Sequence, residues 1–363
     1  MSFYHQIALT KIKGVGPKTA RNLLAYCGSV QEILETKASI LAKIPGVNSK
    51  TATEIAAKNY QEATEKEIAF VEKHQIQVLW ITNPDYPTKL RNCEDAPLVL
   101  YYKGNADLNN ERVVSIVGTR DATNYGRKIC DTLIEQLKPL HTTIVSGLAY
   151  GIDIAAHKSA LLNQIPTVAV LGHGLDRIYP ASHRETASNM IYQGGLLTEF
   201  ASDTKLERQN FPMRNRIIAG MADVTIVIEA AIKGGALITA EIANSYNRDV
   251  CAFPGGVDQT YSAGCNYLIK TNRAHLIRDA QDLCYLMNWD LENTKTQTQL
   301  SLIPTDLNQD QLHIYHFIKE KKQVTIDKIS RFCNWSQSKL AIVLLEMEMN
   351  GHITSLPGKV YTL

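Results

Sequence analysis

Long apolar runs are missing from this chain. Stretches such as 224–231 fall far short of the roughly 20 residues a membrane helix needs, and the first ten residues hold no secretory h-region. A cytoplasmic protein with no membrane partner is therefore expected. Paired cysteines are missing too. The seven present, Cys27, Cys93, Cys130, Cys251, Cys265, Cys284 and Cys333, are odd in number, and none stands in a C-x-x-C pair. This excludes a disulfide framework and a zinc site, and leaves the thiols as small buried hydrophobes. Charge of one sign is also scarce. Lys and Arg total 38 against 36 Asp and Glu, a formal net charge of +2. That is too little to draw the whole molecule onto a polyanion, so any affinity for nucleic acid must come from local clusters.

Catalytic arrangements are equally thin. No Ser/His/Asp set, carboxylate pair or Walker A lysine is identifiable. Gly172-His173-Gly174 supplies only part of a dinucleotide fingerprint, with Arg177 where the third glycine belongs, so NAD is not expected. Asp153 and His157 share a helix face at i and i+4, where Asp153 reads as a helix cap rather than a base. The expectation is a protein that is not an enzyme, with no catalytic residue, no metal and no cofactor.

What is present is a globular composition. The chain has 363 residues, 45% of them hydrophobic and 20% charged, enough for about two or three domains with real cores. Residues 1–75 read as helical and carry one pattern twice: Ile12-Lys13-Gly14-Val15-Gly16, then Ile44-Pro45-Gly46-Val47 about 32 residues later. Each is followed by a Lys and a Thr-Ala pair. The layout resembles a tandem helix-hairpin-helix (SAM-like) unit, in which glycine lets helix N-terminal N–H groups approach a phosphate. Lys13, Lys18 and Arg21 support the first copy as a weak secondary DNA contact. The alternative is a pair of hairpins that merely pack.

From 76 to 290 a proline-bearing connector and the run 97–102 lead into β-branched strands alternating with helices. The strands are expected at 113–117, 143–146, 167–171, 196–199, 224–229 and 250–253. Strands apolar on both faces imply an α/β, Rossmann-like, doubly wound, mostly parallel sheet. Residues 291–305 read as a linker. Residues 306–363 follow the order of a winged helix, with Leu340, Val343, Leu344 and Met347 as an ordinary core stripe and Pro357-Gly358 turning between two strands. With Lys339 set against Glu346 and Glu348, that helix is poorly equipped for the major groove, which favours a protein-contact or structural role.

In an open parallel sheet, ligands sit beyond the carboxyl ends of the strands, where loops run into helix N-termini. Several loops there are rich in Gly, Ser/Thr or Arg: Gly118-Thr119-Arg120, Ser146-Gly147, Gly172-His173-Gly174 and Lys233-Gly234-Gly235. They are expected to form a phosphate-binding rim, with Arg120 as a bidentate donor and Lys233 as a weaker contact. Between the fourth and fifth strands, 205–220 carries Lys205, Arg208, Arg214 and Arg216 against Glu207, interleaved with Phe211. Cations for a backbone and a flat ring for a base suit a single strand, whose base faces are free; a stacked base is worth about 1 to 3 kcal/mol. The alternative makes Phe211 core, and pairs Arg214 or Arg216 with a carboxylate such as Glu199 or Glu229. For Asn215 and Arg216 a structural role and a binding role stand equally open.

These motifs, in this order, resemble the DNA-processing protein A family (DprA, also called Smf). The matching stretches are Ile116-Val117-Gly118-Thr119-Arg120, Ser146-Gly147-Leu148-Ala149-Tyr150-Gly151-Ile152-Asp153, Val170-Leu171-Gly172-His173-Gly174-Leu175-Asp176-Arg177-Ile178-Tyr179-Pro180, Phe211-Pro212-Met213-Arg214-Asn215-Arg216-Ile217-Ile218-Ala219-Gly220 and Pro254-Gly255-Gly256 with Gly264-Cys265-Asn266. The resemblance implies a single-stranded-DNA-binding protein that protects incoming DNA and loads the RecA recombinase in natural transformation and recombination. It implies a homodimer joined near 266–277, and a strand pocket at Arg120, Arg208, Phe211 and the Ser146-Gly147 loop. Lys233-Gly234-Gly235-Ala236 departs from the family's more usual Ser-Gly-Ser turn.

Two rivals stay in view. A nucleotide phosphoribohydrolase would share a Gly-Gly turn, but Leu237 occupies its third glycine's place. A duplex binder would act through the hairpins and the wing.

Overall fold

A computed structural model of the chain describes residues 3–289, 307–321, 324–333, 335–356 and 360–362. The expected linker at 291–305 and the Pro357-Gly358 turn lie outside the described residues.

Twelve strands are described: β1 (Gln77–Trp80), β2 (Val99–Gly104), β3 (Val113–Val117), β4 (Thr143–Ser146), β5 (Thr167–Val170), β6 (Gly194–Thr198), β7 (Val224–Val227), β8 (Asp249–Ala252), β9 (His275–Leu276), β10 (Val324–Thr325), β11 (Thr354–Leu356) and β12 (Val360–Thr362). The first nine form one sheet in the order β1-β2-β6-β5-β4-β3-β7-β8-β9. Neighbours from β6 to β9 run parallel, whereas β2 pairs antiparallel with both β6 and β1. Every residue of β3 to β7 is buried, as expected of strands covered on both faces. Where the interior admits polar groups they satisfy one another: the Ser115 hydroxyl donates to Thr225 Oγ1 at 2.8 Å.

The sheet begins earlier at β6 than alternation suggests. The strand is expected at 196–199, yet Gly194 and Gly195 also lie in β6, where the Tyr102 ring packs over Gly195 and the Tyr102 hydroxyl donates to the Gly194 carbonyl at 2.8 Å. The chain winds from β3 through β4 and β5 to β6. The helix Asn210–Met221 then returns it to β7, on the other side of β3. Loops leaving β3 and β7 therefore diverge, and a crevice opens between them.

The N-terminal helices, Tyr4–Lys11, Pro17–Cys27, Val30–Glu35, Ala38–Leu41, Ser49–Ala56 and Gln61–Lys73, do not stand apart from the sheet. Ile7, Leu23, Ile33 and Ile55 belong to the same apolar cluster as Val78, Leu100 and Tyr101. The core thus runs across residue 75, where a domain edge is expected from sequence.

The C-terminal unit is a small body of its own. Helices Gln309–Lys321, Ile326–Cys333 and Gln337–Met349 pack with a sheet ordered β10-β12-β11. Leu340, Val343, Leu344 and Met347 all face its core, joined by Ile314, Ile318 and Ile329.

Candidate nucleic-acid interface

The crevice is a cleft of about 700 Å³ at the carboxyl ends of β3, β4 and β7. Gly147, expected as a contact, does not line it but packs behind Arg214 and Asp153, which do, so it must stay small. A Cβ at Gly147 would fall 2.6 Å from both terminal nitrogens of Arg214 and from Asp153 Oδ2. Gly151 takes φ 78°, and its Cα side abuts the Thr119 carbonyl and Arg120 backbone, which sets the Arg120 loop against the next helix. On the other wall the Thr123 N–H and hydroxyl donate to the buried Glu229 carboxylate at 2.9 and 2.6 Å. The loop after β3 is thereby fastened to the end of β7.

Three exposed cations, Arg120, Arg208 and Lys233, border the cleft. None is paired with a carboxylate among the described residues. Phe211 opens the helix Asn210–Met221 and lies half-buried over Gly172. The Arg120 guanidinium carbon sits 5.9 Å from its ring centroid, a cation–π distance. The helix Gly235–Ser245 points its N-terminus at the same space: its cap, Gly234, has no side chain to bond the first N–H groups. Those donors stay available to an anion.

The expected residues divide in two. Gly118, Thr119, Arg120, Arg208, Phe211, Asn215 and Lys233 all line the cleft. Others belong to the frame. Ser146 is fully buried and donates to the Ile116 carbonyl at 2.6 Å, so its hydroxyl does not face the cleft. Arg214 touches the cleft wall but is buried; its Nη1 donates to the Gly147 carbonyl at 2.6 Å and to the Val170 carbonyl. Burial pulls the Arg214 guanidinium below its usual range and pushes the Asp153 carboxyl above its own, and each partly restores the other. Asn215 Oδ1 accepts from Arg214 Nε at 3.1 Å. Arg216 bonds Glu199 and the Asp95 carbonyl, which is the structural alternative. Asp153 does not cap its helix; it lies in the first turn of Ile152–Leu162 and accepts from the Ala149 N–H at 3.4 Å.

The hairpin cations are mostly engaged as well. Arg21 donates to the Cys93 carbonyl at 3.0 Å, and Lys18 pairs with Glu94; of these three, Lys13 is exposed and has no partner among the described residues. Each hairpin glycine packs against a side chain of the other hairpin. A Cβ at Gly14 would lie 2.6 Å from Thr51 Oγ1, and one at Gly46 2.8 Å from Asn22 Nδ2. Asn48 already caps the helix Ser49–Ala56 through the Thr51 N–H at 2.8 Å. The packing alternative describes these contacts.

Sequence reasoning missed Tyr179. It is 47% exposed, lines the cleft, and its ring centroid lies 6.0 Å from that of Phe211. Its neighbourhood in Tyr179-Pro180 carried no periodic signal, and only the fold brings it beside Phe211. All seven cysteines are free, five of them buried. Among the described residues no helix is long and apolar enough to cross a membrane.

Comparison with known proteins places these features. The family model described as DNA recombination-mediator protein A matches residues 77–288. A SAM-like helix-hairpin-helix tandem matches 7–58, and a DprA winged helix domain matches 302–359. Protein Smf of Synechocystis is 37% identical over 77% of this chain and 71% of its own length. Protein Smf of Escherichia coli is 31% identical over 82% of this chain and 80% of its own. The X-ray structure of DNA processing protein A from Streptococcus pneumoniae superposes with a TM-score of 0.69 at 34% identity, covering 78% of this chain and 98% of that one. A structure of DNA processing protein A from Helicobacter pylori, described for its single-stranded DNA binding mode, gives 0.54 at 28% identity over 59% of this chain and 96% of that one. The chain thus belongs to the DNA recombination-mediator protein A (DprA/Smf) family.

Proposed function

We propose that the chain binds single-stranded DNA in this cleft and does no chemistry on it. The observation that carries the reading is the placing of Arg120 over Phe211: a phosphate-binding cation and a stacking ring share one surface. Arg208, Lys233 and the open helix end at Gly234 extend the cationic border along which a backbone would run. The Helicobacter pylori relative's single-strand binding mode supports the same direction. In the cytoplasm, protecting incoming DNA during natural transformation and handing the strand to RecA are the activities such binding would serve.

Self-association through 266–277 belongs to the same reading. Strand β9 ends the sheet order, and its Leu276 is exposed, as are Tyr267, Ile232 and Ile238. An edge strand with exposed apolar side chains suits pairing with a second copy.

The test is competition against a bound fluorescent oligothymidine. Unlabelled single strand should displace it at far lower concentration than duplex of the same length; equal displacement would overturn the reading. Sedimentation of Leu276→Arg, a monomer where the wild type is a dimer, tests the self-association, and RecA filament growth on strands coated by another single-strand binder tests the hand-over.

A further inference from the structure

The loop 199–209, which carries Arg208 into the cleft, is joined to the helical N-terminal segment at one buried carboxylate. Glu67, on the helix Gln61–Lys73, is only 2% exposed. Three donors converge on it. The Ser202 N–H reaches Oε1 at 3.0 Å, and the Ser202 hydroxyl and the Lys11 ammonium reach Oε2 at 2.8 and 3.1 Å. A buried carboxylate is costly unless it is paired and hydrogen-bonded. An apolar side chain would serve plain helix packing, so the carboxylate's distinctive contribution is to hold Ser202.

Beyond Ser202 the backbone is equally constrained. The chain turns at Asp203 with φ 61°, and Thr204 closes that turn by donating its hydroxyl to the Ala201 carbonyl at 2.6 Å. The buried Asn210 side chain then holds the Lys205 carbonyl at 3.0 Å. Arg208 therefore hangs on a short arc fastened at both ends, one of them in the helical segment. A loop already ordered before binding does not lose that freedom when the strand arrives.

We propose that Glu67 is a positioning residue for Arg208: the N-terminal helical segment strengthens strand binding by latching the 199–209 loop, without touching the strand. This rests on the reading of the cleft as a single-strand site. Arg120 is the internal control, because its loop is fastened by Thr123 and Glu229 and owes nothing to Glu67.

The experiment is a pair of double-mutant cycles on the full chain, read by anisotropy of a fluorescent oligothymidine, with circular dichroism and melting to confirm folding. Glu67→Gln should weaken binding about three- to tenfold, by an amount that vanishes in an Arg208→Ala background and persists in an Arg120→Ala background. A general loss of folded protein would lower both backgrounds alike. Ser202→Ala, which leaves the Lys11 pair and the Ser202 N–H bond in place, should show a smaller loss with the same pattern, and Ser202→Thr should restore binding. If Glu67→Gln melts the helical segment, the Ser202 variants carry the test. Unchanged affinity in folded Glu67→Gln, or a loss additive with Arg208→Ala, would overturn the latch. Wild-type binding that ignores both Arg208 and Arg120 would instead overturn the cleft reading beneath it.

Discussion

Arg120 and Phe211 reach one another from different arms of the fold, the first from the loop after β3 and the second from the helix that precedes β7, with 5.9 Å between guanidinium carbon and ring centroid. The topology that reverses direction at β3 creates the meeting. The two should nonetheless fail differently. Arg120→Ala should weaken single-strand binding about tenfold and lower the slope of log K against log salt by about 0.7, the value of one phosphate contact on a single strand. Phe211→Ala should cost about 1 to 3 kcal/mol with the slope unchanged. Anisotropy across a salt series distinguishes them.

The two arginines near the start and middle of the helix Asn210–Met221 should also separate. Arg208 is exposed, whereas Arg216 bonds the largely covered Glu199. Arg208→Ala should keep its melting temperature and lose affinity. Arg216→Ala strands Glu199, whose carboxyl burial already raises above its usual range, and should cost about 3 to 5 kcal/mol of stability. Urea unfolding measures the second and oligonucleotide titration the first.

Much of this was legible in the sequence, and the reasons for the remainder are specific. The β-branched runs at 113–117 and 224–229 named their strands because burial on both faces favours apolar residues, with Ser115 and Thr225 admitted as a bonded pair. Glycine-rich turns after β3 and β7 marked the cleft because only small residues let backbone N–H groups line it. Arg216 was ambiguous, since nothing in local order shows that Glu199 lies across from it. Glycines 14 and 46 stayed open between two roles, because the same permissive backbone admits a phosphate or a neighbouring Thr51 or Asn22. Glu67 gave no signal at all: its partner, Ser202, is far away in sequence.

Crowding at Gly147 makes its own prediction. A methyl there would press on Arg214 and Asp153 together. Gly147→Ala should lower stability by about 1 to 3 kcal/mol and weaken strand binding, since the wall formed by Arg214 must move. Melting and titration of the same sample check both.

Acid should unfold the α/β body partly through His157. Its Nδ1 lies 2.7 Å from Thr167 Oγ1, and its Nε2 has no hydrogen-bond partner among the described residues. Burial, then Arg214 and His183, push it down to about 3 from 6.5. Between those values the unfolded chain binds the proton and the folded one does not. Stability is therefore fully present above about 6.5 and is lost as pH falls toward 3, at up to about 1.4 kcal/mol per pH unit for one proton. His157→Gln should flatten that limb in urea titrations taken from neutral to acid pH, whatever it does to stability at neutrality.

The most direct test of the central claim is single-strand and duplex binding of the wild type and of an Arg120→Glu, Arg208→Glu double variant, followed across a salt series. The account predicts a wild type that prefers single strands, and a folded variant that loses both affinity and salt slope. A folded variant that binds as the wild type does would contradict it and move the DNA site out of the cleft.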